Sequence, residues 1–293
     1  MGLLRKVSIL IYMSRPWNWL RMQIPATTLG ILCGLYYSGY NLDEINEILK
    51  PIITVASISA GGYIINDYFD RDIDAINEPS KPIPSGKIEK NTALMASIVL
   101  FIFGLISSFF IGKLNLIIAF IWVLFAVLYA YILKRNGYGI ESFIFGFVMG
   151  LTIIFGSIAV LKFLYVPALL LGGFMTLYMT AAHATGTLKD LEGDSKAGCK
   201  TITILLGKDK TRHLIILMYF LSFAILLYII RFNLMFDSLI LLMISGIALI
   251  TLFSNVKLLS KQNRNSIAKA LSISKTFLSV IFILMGFQLI LRE

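Results

Sequence analysis

Residues 114–133 read LNLIIAFIWVLFAVLYAYIL, twenty residues without a formal charge. As a helix such a run rises about 30 Å, the thickness of a bilayer's hydrocarbon core. Eight further uncharged stretches accompany it: Met22–Leu42, Pro51–Asn66, Asn91–Gly112, Ser142–Leu161, Phe163–Leu188, His213–Ile230, Ser238–Val256 and Thr276–Leu291. Composition points the same way. Hydrophobic residues make up 58% of the 293 and charged residues 14%, against about 45–50% and about 25% in soluble domains. Mean hydropathy is +0.84. A soluble globule of this size has too little interior to hide that surface. The pattern predicts an all-α polytopic membrane protein with about nine transmembrane helices, one domain over residues 1–293. The first stretch is too long and too deep in the chain for a cleaved signal peptide.

A net charge of +10 invites a nucleic-acid partner, but the placement of the charges argues against one. With nine spans, alternate connections share a side. One side collects twenty of the 26 Lys and Arg residues. The other holds five, Lys50, Lys113, Lys162, Arg231 and Arg292, and Lys275 lies at a helix entrance. This positive-inside bias predicts a cell-membrane protein with its N-terminus and basic loops in the cytoplasm and its C-terminus outside. Cys33 and Cys199 are too few and too far apart for a disulfide framework or a thiolate metal site. Free thiols are expected.

The acids are placed still less evenly. Ten of the 16 fall in two cytoplasmic connections, 67–90 and 189–212. The first begins Asn66-Asp67-Tyr68-Phe69-Asp70-Arg71-Asp72-Ile73-Asp74. If the second span continues through it as a helix, Asp67, Asp70 and Asp74 share one face at i, i+3 and i+7, and Asp72 points elsewhere. Carboxylates so close repel one another strongly unless a cation neutralises them, and oxygen-only ligands favour Mg²⁺, Ca²⁺ or Mn²⁺ over zinc. An EF-hand register from Asp70 fails, because Ala75 stands where glycine is needed and Lys81 where glutamate is needed. The bland alternative is a solvated acidic helix end.

The second segment, Lys189-Asp190-Leu191-Glu192-Gly193-Asp194, puts Asp190 and Asp194 one turn apart after the sixth span. Two clusters on one side of the membrane suit two metal ions bridged by a polyphosphate across a central cavity. Arg71, Lys81, Lys189 and Lys196 would meet the remaining phosphate charge.

Asn66-Asp67-x-x-Asp70-x-x-x-Asp74 resembles the first signature of the UbiA superfamily of intramembrane prenyltransferases, and Lys189-Asp190-x-x-x-Asp194 resembles the second. The segments Arg15-Pro16-Trp17-Asn18-Trp19, Lys81-Pro82-Ile83-Pro84-Ser85-Gly86 and Thr201 to Gly207 extend the resemblance over nearly the whole chain. It implies two four-helix halves and a ninth helix around a cavity open to lipid and capped by the Asp-rich cytoplasmic loops. It also implies transfer of an isoprenoid from an allylic diphosphate, with Mg²⁺, two ions, held by Asp67, Asp70, Asp74, Asp190 and Asp194. Of these, Asp67, Asp70, Asp190 and Asp194 are the expected catalytic set. Asn18, Asn66, Arg71, Lys81, Lys134, Lys189 and Lys200 are the expected substrate-binding residues.

Within the superfamily, the passage from Asp70 to Pro79 most resembles the archaeal digeranylgeranylglyceryl phosphate synthases. That resemblance implies transfer of a geranylgeranyl group from geranylgeranyl diphosphate to geranylgeranylglyceryl phosphate, a lipid-like phosphorylated acceptor, through metal-assisted diphosphate departure and an allylic carbocation. The alternative acceptor is an aromatic, quinone, haem or chlorophyll-type precursor. Thr185 stands where many aromatic-acceptor members carry tyrosine, and Lys81 where an arginine is usual.

The rival class is a cation-coupled transporter, which expects ligand groups near the midplane and often broken helices. Here both acidic clusters lie on one face. His183 reads as a packed or hydrogen-bonded histidine near a helix end, and Trp17, Trp19 and Trp122 as an aromatic belt. Gly30–Gly34 and Gly146–Gly150 have the spacing of close helix contacts. Gly207-Lys208 lacks the upstream glycines of an ATP-binding loop.

Overall fold

The computed structural model describes residues 2–39, 45–231, 238–261 and 263–291, less the side chains of residues 45–47, 77, 134, 230–231, 238–242 and 291. The end of the first uncharged stretch (40–42), Arg292 and the C-terminus lie outside the described residues, as do the side chains of Lys134 and Arg231. In hydrocarbon, every backbone N–H and C=O must be satisfied within the chain, and a helix does this segment by segment. The described residues accordingly contain helices and no strand.

Short α1 (Leu3–Met13) and α2 (Pro16–Arg21) lead into α3 (Gln23–Ser38), α4 (Ile45–Asn77), α5 (Lys90–Ile111) and α6 (Lys113–Leu128). A π turn over Tyr129–Leu133 and a three-residue α7 (Lys134–Asn136) end this half. Then follow α8 (Glu141–Leu161), α9 (Val166–Lys189), α10 (Leu191–Lys196), α11 (Ile202–Arg231), α12 (Ser238–Leu259) and α13 (Arg264–Leu291). Over its described residues, each of the nine uncharged stretches overlaps one of these helices, and 114–133 runs on from α6 through the π turn. Among the described residues, seven are long and apolar enough to cross a membrane, and 243–259 of α12 form a shorter apolar helix. The chain is an integral membrane protein.

Helix α8 is the centre of the bundle, packed between α3 and α9, while α13 closes it against α3, α9 and α12. Glycines set how closely these helices approach. A methyl group at Gly30 would strike the Ile153 carbonyl, and one at Gly156 the Thr27 carbonyl. At Gly146 and Gly150 it would strike Thr176 and Thr180, or Thr176 and the Gly172 carbonyl. Small residues at such interfaces let backbones meet where lipid gives no hydrophobic drive to association. By contrast α5 turns Val99, Phe103, Ile106 and Phe110 outward, the apolar dress of a lipid-facing helix.

Helix α4 has 33 residues, about 50 Å at 1.5 Å per residue, and so overshoots a ~30 Å hydrocarbon core. Its last turns, which carry the first acidic segment, stay helical through Asn77. Gly207, at φ 78° and ψ 167°, breaks α11 between Leu206 and Lys208. A side chain there would be strained, which is the local reason for glycine.

Candidate active site

The helical continuation of α4 puts Asp67, Asp70 and Asp74 on one face, at 5%, 1% and 5% exposure, all lining a cavity of about 1290 Å³. Asp72, off that face, is exposed. Asp190 joins α9 to α10 and borders the same cavity, as does Asp194, whose N–H donates to the Asp190 carbonyl at 3.0 Å to make the expected turn. Asp194 is buried and Asp190 exposed. The two acidic segments therefore share one chamber, reached from two different helices.

Cations interleave with these carboxylates. Lys81 Nζ lies 2.9 Å from Asp74 Oδ1 and 3.8 Å from Asp67 Oδ1. Arg15 reaches Asp67 Oδ1 at 2.5 Å, with its guanidinium 5.4 Å from the Tyr63 ring centroid. Lys189 pairs with Asp190 at 3.4 Å. Lys275 enters from α13, in an electrostatic environment made by Lys189, Arg21 and Arg15. Arg15 and Lys275 carry no role in the sequence reading. Arg15 stood within a quoted motif, but its partner lies 52 residues away, beyond any local spacing rule.

Asn18, Asn66, Lys81 and Lys189, of the expected substrate-binding residues, line the cavity. Asn66 donates from Nδ2 to Asp70 Oδ2 at 2.8 Å, and its buried Oδ1 makes no hydrogen bond among the described residues. Arg71 and Lys200 lie outside the lining. Arg71 stacks on Tyr68, donates to the Tyr68 carbonyl at 2.9 Å and faces exposed Asp72. Lys200 donates to the Tyr138 hydroxyl at 3.1 Å and lies over its ring. Lys134 opens α7, with its side chain outside the described residues.

Below the charged mouth the wall becomes apolar: Ile58, Phe125, Phe145, Val148 and Met179 contribute. Trp122 belongs here too. It is 2% exposed on the cavity wall, not in an aromatic belt, because the inner face of α6 carries it. His183 is hydrogen-bonded as expected, but it also borders the chamber.

A divalent cation fits the donor chemistry. The oxygens are hard ligands, the carboxylates already collect cationic side chains, and Asn66 Oδ1 is a buried acceptor in need of a partner. Among the described residues no three His, Cys, Asp or Glu side chains form a ready-made metal cage. Mg²⁺ does not require one, since it is commonly held by one or two carboxylates, water and substrate phosphates.

Residues 27–281 match the UbiA prenyltransferase family. The digeranylgeranylglyceryl phosphate synthase of Saccharolobus solfataricus is 33% identical over 218 residues, 73% of this chain and 77% of that one. A solved structure described as giving insights into digeranylgeranylglyceryl phosphate synthase in membranes superposes with a TM-score of 0.76 at 29% identity, covering 97% of this chain and 99% of the other. A UbiA homolog from Archaeoglobus fulgidus bound to GPP and Mg²⁺ shares the fold, with a TM-score of 0.70 at 16% identity over 96% of this chain and 99% of that one. Fold, paired acidic segments and sequence agree: the chain belongs to the UbiA prenyltransferase family.

Proposed function

We propose that this prenyltransferase moves a geranylgeranyl group from geranylgeranyl diphosphate to geranylgeranylglyceryl phosphate, forming the second ether bond of an archaeal lipid core. The observation that carries this reading is the single chamber bordered by acids of α4 and of the α9–α10 junction, basic at its mouth and apolar below. Its volume of about 1290 Å³ exceeds the roughly 300–1,000 Å³ usual for one small ligand, which suits two lipid-like substrates. The acceptor is consistent with the name of the similar chain from Saccharolobus solfataricus, a digeranylgeranylglyceryl phosphate synthase.

Asp67, Asp70, Asp74, Asp190 and Asp194 would hold Mg²⁺, two ions in our reading, as the Archaeoglobus homolog binds Mg²⁺ with GPP. Bound there, the metal supplies charge neutralisation for the departing diphosphate. Arg15, Lys81 and Lys189, which pair with these carboxylates, also supply the cations that meet the phosphate oxygens. Asn18 and Asn66 orient the diphosphate. Lys275, with cations for neighbours, takes the phosphate of the acceptor. Arg71, Lys134 and Lys200 are assigned to incoming anions.

The prenyl tail follows the apolar wall downward, between Phe125, Phe145 and Met179. That wall excludes water from the allylic cation until the acceptor hydroxyl attacks. The whole of residues 1–293 acts as one domain, with its mouth, N-terminus and basic loops in the cytoplasm and its C-terminus outside. Purified protein incubated with geranylgeranyl diphosphate and either geranylgeranylglyceryl phosphate or 4-hydroxybenzoate tests the reading by mass spectrometry. The diether from the first acceptor is expected. Prenylated 4-hydroxybenzoate alone would move the assignment to the aromatic alternative.

A further inference from the structure

Deeper in the chamber, three helices bring together a polar chain that the diphosphate site does not use. Tyr129 Oη lies 2.8 Å from His183 Nε2, and Ser142 Oγ lies 3.0 Å from His183 Nδ1. Ser142 donates in turn to Glu141 Oε1 at 3.3 Å, and the Ile202 N–H donates to the same oxygen at 2.8 Å. Tyr129, His183 and Glu141 border the cavity that holds Asp67 and Asp190. His183 lies on α9 seven residues before Asp190, the residue that caps its C-terminus, so it lies about 10 Å further in along the helix axis.

Several features set this chain apart from ordinary packing. Glu141 is fully buried in the first turn of α8, where the helix dipole favours an ionised carboxylate. Among the described residues it forms no ion pair, and its Oε2 makes no hydrogen bond. A buried carboxylate gains from a positive charge nearby. Tyr129 opens the π turn that interrupts the end of α6, a distortion that recurs at functional sites. With hydrogen on Nδ1, every donor in the chain points toward Glu141.

We infer that Tyr129 accepts the proton of the acceptor's hydroxyl, with His183, Ser142 and Glu141 as positioning residues behind it. The inference rests on the prenyl-transfer reading. The bond between the allylic carbon and the diphosphate oxygen breaks, and its electron pair leaves with the diphosphate. The acceptor oxygen bonds to that carbon. Its hydroxyl proton passes to Tyr129 Oη as the tyrosine's own proton passes to His183 Nε2. The imidazolium donates from Nδ1 to Ser142, which donates to Glu141. Proton uptake thus occurs at the depth where the carbon reacts, away from the anionic mouth.

His183→Gln separates this role from a structural one. Its amide accepts from Tyr129 and donates to Ser142, so both hydrogen bonds persist, but it cannot take a proton. Ether formation from geranylgeranyl diphosphate and geranylgeranylglyceryl phosphate is expected to slow by about 10²–10⁴-fold at saturation, the range of general-base effects, with KM for each within threefold. Tyr129→Phe is expected to slow it comparably, and imidazole to restore a His183→Gly variant. A His183→Gln rate within tenfold of wild type overturns the inference, as does a loss carried wholly by KM or a His183→Gly variant that imidazole leaves unchanged. Wild-type protein assayed in parallel separates the two readings: no ether from wild type defeats the acceptor assignment, whereas normal wild-type turnover beside an unimpaired His183→Gln defeats this inference alone.

Discussion

The guanidinium of Arg15 meets Asp67 Oδ1 across 52 residues of sequence, from a backbone in the left-handed region at φ 49° and ψ 58°. Pro16 follows it and disfavours a right-handed helical conformation at Arg15. A non-glycine residue held there stores strain of order 1 kcal/mol, and such strain concentrates at functional sites. The geometry aims a cation into the chamber, where it faces a carboxylate.

Arg15→Ala is therefore expected to raise KM for geranylgeranyl diphosphate about tenfold, equivalent to about 1.4 kcal/mol. Arg15→Lys restores charge without the planar fork and recovers only part of the loss. Steady-state kinetics over a diphosphate series checks this, and an unchanged KM in the alanine variant removes Arg15 from the site.

Metal dependence gives a test of the acids of α4. Asp67→Ala and Asp70→Ala should each cost on the order of 10³-fold in turnover, about 4 kcal/mol of charge stabilisation, while the protein remains folded and extractable. EDTA should stop the wild type and Mg²⁺ restore it. Turnover indifferent to chelation would exclude a role for divalent metal.

Close packing at the centre of the bundle gives a stability test. Gly150→Val drives its side chain into Thr176 and the Gly172 carbonyl, and overpacking of this kind costs about 1–3 kcal/mol. Gly246→Ala on α12 meets nothing within 4 Å and should leave thermal unfolding unchanged or raise Tm slightly. Equal Tm values for the two variants would show that α8 and α9 do not need their close approach.

Orientation is open to chemical labelling, because Cys33 and Cys199 are both buried and contribute little background. Lys87 is exposed in the loop after α4. An impermeant maleimide should modify Lys87→Cys in inside-out vesicles and not in intact cells. The reverse pattern would invert the orientation drawn from the basic residues.

Local periodicity made the acidic face of α4 legible: Asp67, Asp70 and Asp74 repeat at helical intervals, and a helix long enough to continue past the membrane keeps them together. Seven of the uncharged stretches were legible for the same reason, since length and apolarity mark seven described helices as able to cross a membrane. Contacts set by the bundle were not. Arg15 finds Asp67, and Tyr129 finds His183 and hence Ser142, only after α2, α4, α6, α8 and α9 have packed. Arg71 shows the opposite failure. It sits among the acids in sequence, yet its long side chain lies back on Tyr68. Glu141 had one local signal, a charge bordering an uncharged run, and that signal does not say which way the carboxylate turns.

The most direct measurement is calorimetric titration of a non-hydrolysable geranylgeranyl thiolodiphosphate, with Mg²⁺ or with EDTA, into wild type, Asp70→Asn and Asp194→Asn. Mg²⁺-dependent binding by wild type, lost in each single variant, is expected if carboxylates from both α4 and α10 grip one metal-bound diphosphate. Equal binding in EDTA, or wild-type affinity in both variants, would contradict it.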